Sequence, residues 1–257
     1  MIFYKVRSFV NKMIMNNKNL EKIKKNFDKK GYITLKKFFE KNKIKSVKKS
    51  LFNYLDKRKF NLKKRELHLA KNSKAINSVH NLNWPYIKKF KKDKKIIKIV
   101  KNLLEDNIKS FGAEVFAKPA RVGMQVPIHQ DNYYWNLNNS KGLTVWIALD
   151  RCTKKNGALF YYEKSQKVGL LKHKPSYAPG TSQVLKNKKM LKKFKKITPK
   201  LDVGDVLIHH CLIIHGSQKN ISKKDRAGLT MRYIGRSSKI NEKAKNKYEK
   251  VLKKQLN

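Results

Sequence analysis

Between residues 111 and 234 the chain is written as short apolar runs cut by turn signals, and no other feature restricts its fold as much. The runs 111–117 (FGAEVFA), 124–131, 143–149 (LTVWIAL), 157–162 (GALFYY), 205–215 (DVLIHHCLIIH) and 226–234 (RAGLTMRYI) have strand length and are rich in β-branched and aromatic residues. Asn138-Asn139-Ser140-Lys141-Gly142, Lys155-Asn156-Gly157 and Val203-Gly204-Asp205 provide turns between them. Such a series reads as a β-sandwich or barrel. The connection 163–204 is too long for a plain hairpin loop and reads as a lid.

The flanks have a different period. A polar helix is expected over 18–30, broken by Gly31 ahead of the β-type run Tyr32-Ile33-Thr34-Leu35, with another helix over about 40–57. Within 91–108, Ile96, Ile97, Ile99, Val100, Leu103 and Leu104 recur at helical spacing beside a lysine face. A last helix is expected near 240–254. No repeat of 20–50 residues and no Pro/Gly/Ser linker divides the chain, so it reads as one unit with helical flanks.

Charge is extreme and unevenly placed. Of 257 residues, 64 are Lys or Arg against 17 Asp or Glu, a formal net charge of +47. That balance invites a nucleic-acid reading. Yet 56 of the bases are lysine and only 8 arginine, whereas base-edge and phosphate forks favour arginine. The lysines crowd into 22–30, 36–49, 57–65, 88–101, 186–200 and 239–254. Between 102 and 153 five bases meet five acids, and 201–217 carries Asp202 and Asp205 with no base. The centre is neutral and the periphery basic, so no specific nucleic-acid partner is expected, only non-specific attraction of anions.

The two cysteines, Cys152 and Cys211, exclude a disulfide framework and suit a reducing compartment. No apolar run approaches the ~18–20 residues of a membrane span. The opening MIFYKVRSFVNKMIMNNKN is too interrupted for a secretory signal. A cytoplasmic monomer or dimer is the expectation.

His129-Gln130-Asp131 is the first motif with chemistry in it. On a strand, residues i and i+2 share a face about 6–7 Å apart, so an imidazole and a carboxylate occupy two corners of a metal site. Alone the pair is a weak signal. His215, where an apolar strand gives way to the turn Gly216-Ser217, is the best third ligand, and two histidines with one carboxylate form the facial triad of non-haem Fe(II) oxygenases. His209 shares strand parity with His215, but along one continuous strand it would lie about 20 Å away. His210 would face the other way, and both read as strand residues with local hydrogen bonds. His173 falls in the lid as a candidate substrate contact, while His68 and His80 are expected at the lysine-rich surface. Arg226, eleven residues after His215, falls on the returning strand, where its guanidinium suits a bidentate pair with a carboxylate and Ser217 adds a hydroxyl.

The strings MQVPIHQDNYYWN, LTVWIALDRCTKKNGALFYY and GDVLIHHCLIIHGSQKNISKKDRAGLTMRYIG, with the entrance FDKKGYITLKKFF, resemble the phytanoyl-CoA dioxygenase family of Fe(II)/2-oxoglutarate oxygenases. The resemblance covers about 27–236, leaving a basic segment 1–26 and a basic helix 237–257 outside. It implies a double-stranded β-helix, a jelly-roll barrel of cupin type, mainly β with helices packed outside. It implies Fe(II) held by His129, Asp131 and His215, with O2 as co-reactant. It also implies 2-oxoglutarate bound at its far carboxylate by Arg226 and Ser217, with Trp146 lining that pocket. Gln125, on the strand parity of His129, and Lys118 are further cosubstrate candidates. The family's PGSHK turn is replaced by Tyr162-Glu163-Lys164-Ser165-Gln166-Lys167, a departure that touches lid shape rather than ligands.

The resulting expectation is a dioxygenase that hydroxylates a small molecule. The presence of Asp131 argues against halogenation, in which a small residue replaces the carboxylate. Tyr133, Tyr134, Trp135, Tyr161, Tyr162 and the 163–185 connection are expected to shape the substrate pocket. Two other readings compete: a basic polyanion-binding protein on a catalytically inactive barrel, and a zinc hydrolase using the same three ligands.

Overall fold

A computed structural model describes residues 16–63 and 65–256, so the reading of the first fifteen residues lies outside the described part. The chain opens with α1 (Asn17–Lys30), β1 (Tyr32–Leu35) and α2 (Lys41–Arg58), followed by β2 (Leu67–Leu69), β3 (Ile76–Val79), α3 (Ile87–Lys91) and α4 (Lys94–Leu104). The β-rich part holds β4 (Ile108–Lys118), β5 (Val126–His129), the short α5 (Asn132–Trp135), β6 (Gly142–Ala148) and β7 (Leu159–Tyr162). It continues with β8 (His173–Ala178), β9 (Thr181–Leu185), β10 (Lys196–Ile197), β11 (Val206–His210), β12 (His215–Ser217) and β13 (Arg226–Gly235), and α6 (Glu242–Leu256) follows.

Two antiparallel sheets face one another: seven strands in the order β1-β11-β6-β13-β4-β3-β2, and four in the order β10-β7-β12-β5. The hairpin β8-β9 forms part of the lid segment. This is the expected mainly-β jelly roll with flanking helices.

Local sequence explains the helix ends. Asn16 accepts a hydrogen bond from Asn19 N–H at 2.8 Å to start α1. Gly31, at φ 82°, closes the helix and donates its N–H to Phe27 O. Asp93 caps α4 by accepting from Lys95 and Ile96 N–H. Ile96, Ile99, Val100, Leu103 and Leu104 of α4 are all buried, contributing roughly 1.5–3 kcal/mol each by leaving water.

Strand alternation then sorts the large sheet into two faces. Ala113, Val115, Leu143, Val145, Ile147, Val206, Ile208, Leu229 and Met231 point outward and pack with Phe27, Ile44, Leu51 and the apolar face of α4 in the main core. The residues between them, including Glu114, Thr144, Trp146, His209, Arg226, Thr230 and Arg232, face inward and line the space between the sheets. The period-2 pattern of these strands therefore decides which side chains reach the chemistry.

Three features depart from the sequence expectations. The run 205–215 is not one strand: residues 211–214 turn, and β11 and β12 lie in opposite sheets. The segment before α4 contributes β2 and β3 to the edge of the large sheet. The C-terminal α6 is applied to the barrel mouth, where Tyr248, Leu252 and Gln255 line the cavity and Gln255 Nε2 donates to Ser182 O at 3.2 Å.

Candidate metal centre and cosubstrate pocket

β5 and β12 are adjacent antiparallel strands, and their register sets His129 directly opposite His215. Their rings are 4.3 Å apart between centroids. Asp131, just beyond the end of β5, brings its Oδ1 to 3.5 Å from His129 Nε2 and 3.6 Å from His215 Nε2. One ligand atom from each of the three lies within 4.8 Å of the others. Ligands held about 2.0–2.2 Å from one ion stand about 3 Å apart when cis, so the triad is spaced to close on a single cation.

The tautomers are set by the backbone. His129 Nδ1 donates to Pro127 O at 2.7 Å, and His215 Nδ1 donates to Ile213 O at 3.0 Å. Each ring thus binds the carbonyl two residues upstream and turns its Nε2 lone pair inward. Burial, together with His129 beside it, holds the His215 imidazole well below its usual range, in the neutral form that ligates metal. Burial alone would raise the Asp131 carboxyl, but its histidine neighbours, with His209 Nε2 donating to it, outweigh that and keep it well below the ordinary carboxylate range.

Asp131 uses its two oxygens differently. Oδ2 accepts from Thr144 Oγ1 at 2.7 Å and from His209 Nε2 at 3.1 Å, which leaves Oδ1 to the centre. His209 Nδ1 in turn accepts from Tyr161 Oη at 3.0 Å. The expected separation of about 20 Å between His209 and His215 is therefore wrong. Their ring centroids are 4.6 Å apart. That expectation assumed a continuous strand, whereas the turn at 211–214 carries the two histidines to facing sheets. His209 stands behind the carboxylate, and its partners are distant in sequence rather than local.

The other histidines divide. His210 faces away, its ring 6.0 Å from that of Phe27, as expected. His173 is buried, stacks on Tyr133 at 4.2 Å, donates to Leu171 O and accepts from Gln130 N–H, so it anchors the lid. Gln130, between the two ligands of the motif, has the same purpose: its Nε2 donates to Gly169 O and Leu212 O, and its Oε1 accepts from Leu171 N–H. His68 and His80, expected at the surface, instead line the cavity. β2 and β3 carry them there.

On one side of the triad sits Arg226, 1% exposed; among the described residues its one hydrogen-bond acceptor is Gly157 O, and its Nε is unpartnered. Ser217 Oγ is likewise buried without a partner. Both line the cavity, and the guanidinium lies 5.5 Å from the Trp146 ring. Two orphaned donors and a buried cation beside a metal-ligating triad fit a carboxylate, because each is costly to bury unless an anion completes it. Lys118 is the cross-strand partner of Arg226 and is turned to Met124 O. Gln125 is exposed ahead of β5 and does not reach the cavity wall. Among the expected aromatics, Tyr134, Trp135 and Trp146 line the cavity, while Tyr161 reaches the centre through His209. Cys152 and Cys211 are buried and free, and burial pushes the Cys152 thiol up to about 12.

Gly228 gives the indole its place. A Cβ there would collide with Cζ2 and Cε2 of the Trp146 ring. Gly228→Ala should therefore push the ring into the pocket or distort β13, at about 1–3 kcal/mol. Thermal unfolding should show Tm lowered by roughly 2–10 °C, and an unchanged Tm would contradict this contact.

A jelly roll carrying two histidines and one carboxylate at the mouth of the smaller sheet defines the class of non-haem facial-triad proteins. A sequence model of the phytanoyl-CoA dioxygenase (PhyH) family matches residues 27–228, and the chain belongs to that family. It is 25% identical over 166 residues to a phytanoyl-CoA dioxygenase domain-containing protein 1 homolog of Dictyostelium discoideum, spanning 63% of this chain and 59% of that protein. It is 23% identical over 215 residues to a probable alpha-ketoglutarate-dependent hypophosphite dioxygenase of Stutzerimonas stutzeri, spanning 79% and 74%. Among solved structures, EctD from S. alaskensis with 2-oxoglutarate and 5-hydroxyectoine superposes with a TM-score of 0.71 at 20% identity, over 88% of this chain and 78% of that one. The carbocyclase SnoK from nogalamycin biosynthesis superposes with a TM-score of 0.69 at 16% identity, over 86% and 85%. These likenesses carry the fold. Among the described residues no helix is long and apolar enough to cross a membrane.

Proposed function

We propose that this chain is an Fe(II)- and 2-oxoglutarate-dependent dioxygenase that oxidises an unactivated C–H of a small molecule. The observation that carries the reading is the pair of orphaned donors, Ser217 Oγ and Arg226 Nε, buried in the same cavity as the His129–Asp131–His215 triad. With iron, 2-oxoglutarate and O2 bound, the centre would supply oxidation of the substrate coupled to release of succinate and CO2.

The chain's own residues do the rest. His129, Asp131 and His215 would hold the metal through Nε2, Oδ1 and Nε2. Thr144 and His209 fix Asp131 so that a single oxygen faces the ion. Arg226 and Ser217 would take the far carboxylate of 2-oxoglutarate and Trp146 would line that pocket, while Lys118, the cross-strand partner of Arg226, turns its amine to Met124 O. The β8-β9 hairpin and α6 form part of the wall of the cavity, which has a volume of about 720 Å³. The two free, buried cysteines suit a reducing compartment such as the cytoplasm.

The test is succinate formation by purified protein supplied anaerobically with Fe(II) and 2-oxoglutarate and then exposed to air. Release that needs both additions supports the reading. Tight, salt-steep binding of nucleic acid with no metal-dependent turnover would favour the polyanion reading instead.

A further inference from the structure

The inward face of β13 carries two arginines, Arg226 and Arg232, six residues and so roughly 20 Å apart along the strand. The first serves the cosubstrate end of the cavity. The second is the cross-strand partner of Thr144, the residue that bonds Asp131, so its side chain emerges on the other flank of the metal centre. Its neighbours leave room for Arg232 there. The guanidinium occupies the space that a side chain at position 112 would need, since a Cβ on Gly112 would collide with its Nη2. It also lies 5.6 Å from the Phe111 ring.

The anion beside it, Glu114, is shared with His80. Glu114 Oε1 accepts from His80 Nδ1 at 2.6 Å and makes a longer ion pair with Arg232 Nη1 at 3.7 Å, which leaves the rest of the guanidinium free of it. Arg232 Nε is buried with no partner, and so is His80 Nε2. Arg65 completes this end of the cavity wall. Apart from Asp131, which belongs to the metal, Glu114 is the one acid lining the cavity among the described residues, against Arg65, Arg226 and Arg232. With Arg226 assigned to 2-oxoglutarate, Arg65 and Arg232 have between them the single carboxylate of Glu114, so the substrate end keeps a net positive charge inside a basic shell that draws anions inward.

We propose that Arg232, supported by Arg65, binds an oxyanion of the substrate, so that this chain acts on small acids whose reacting carbon lies between that group and the metal. The proposal rests on the oxygenase reading for the assignment of Arg226. The site takes a carboxylate or a phosphate monoester, two anions that the guanidinium fork pairs with equally.

The test is ligand-observed NMR binding to the full chain in saturating 2-oxoglutarate. The probes are hexanoate, phenylacetate and phenyl phosphate, set against hexanamide, phenylacetamide and phenol. At least one acid should bind about tenfold more tightly than its neutral counterpart, and that preference should vanish in Arg232→Gln. Binding by the two carboxylates or by phenyl phosphate identifies which oxyanion is preferred. Because Arg232 is part of the sheet, Arg65→Gln, at an exposed position, provides a second variant in which the preference should fall several-fold. Acids that bind no better than their neutral partners, or a preference that survives both changes, overturn the proposal. Loss of the preference in Arg226→Gln alone would also overturn it. Failure of the oxygenase reading looks different: wild-type protein would then neither bind 2-oxoglutarate nor release succinate.

Discussion

Replacing Asp131 by alanine should abolish metal-dependent succinate release, a loss on the order of 10³-fold or more, equivalent to about 4 kcal/mol. The carboxylate is the one anionic donor of the triad, and its Oδ1 is the corner shared by both imidazoles, at 3.5 and 3.6 Å. Without it two neutral nitrogens remain, and the charge that favours a divalent cation is gone. Titration with Mn(II), followed calorimetrically, should show the same collapse of affinity in the absence of turnover. The fold should persist, because Asp131 does not cap α5 through its side chain. Thr144 Oγ1 and His209 Nε2 lose their acceptor, at about 1–3 kcal/mol for each group left unpaired in the interior. Succinate release at the wild-type rate from the Asp131 variant would sink the ligand assignment.

Arg226→Ala is expected to act on the cosubstrate rather than on the metal. Truncating one member of a buried, hydrogen-bonded charge pair costs about 2–5 kcal/mol, which corresponds to a rise in KM for 2-oxoglutarate of roughly 30-fold to several thousand-fold. Mn(II) affinity measured without 2-oxoglutarate should be close to wild type, since Arg226 contacts none of the three ligands. In the wild type 2-oxoglutarate should raise Tm, because a ligand that binds only the folded state stabilises it. In the variant that rise should disappear. An unaltered KM would mean that the far carboxylate is held elsewhere, and Lys118, opposite Arg226 in the register, would be the first alternative.

Much of this was legible in the residues because strands and turns obey local rules. The runs 111–117, 143–149 and 226–234 fall on β4, β6 and β13, and Gly31 stops α1 where the φ of 82° requires it. His129-Gln130-Asp131, His215-Gly216-Ser217 and Arg226 stand out because their residue types are chemically particular and their order is that of a known family. The misreading of 205–215 has an equally physical source. Cys211-Leu212-Ile213-Ile214 contains no glycine, proline or asparagine, so nothing local announces the turn.

From the amino-acid order alone came the candidate ligand types, the strand segments and the uneven spread of charge along the chain, since each depends on side-chain chemistry and near neighbours. Only the tertiary structure could decide which distant groups meet. It put His209 behind Asp131 across 78 positions of sequence. It also set Arg232 beside Thr144 and drew His68, His80 and Tyr248 to one cavity. The reason is that contact between sheets is fixed by register and packing of the whole barrel, a property that no short stretch of chain contains.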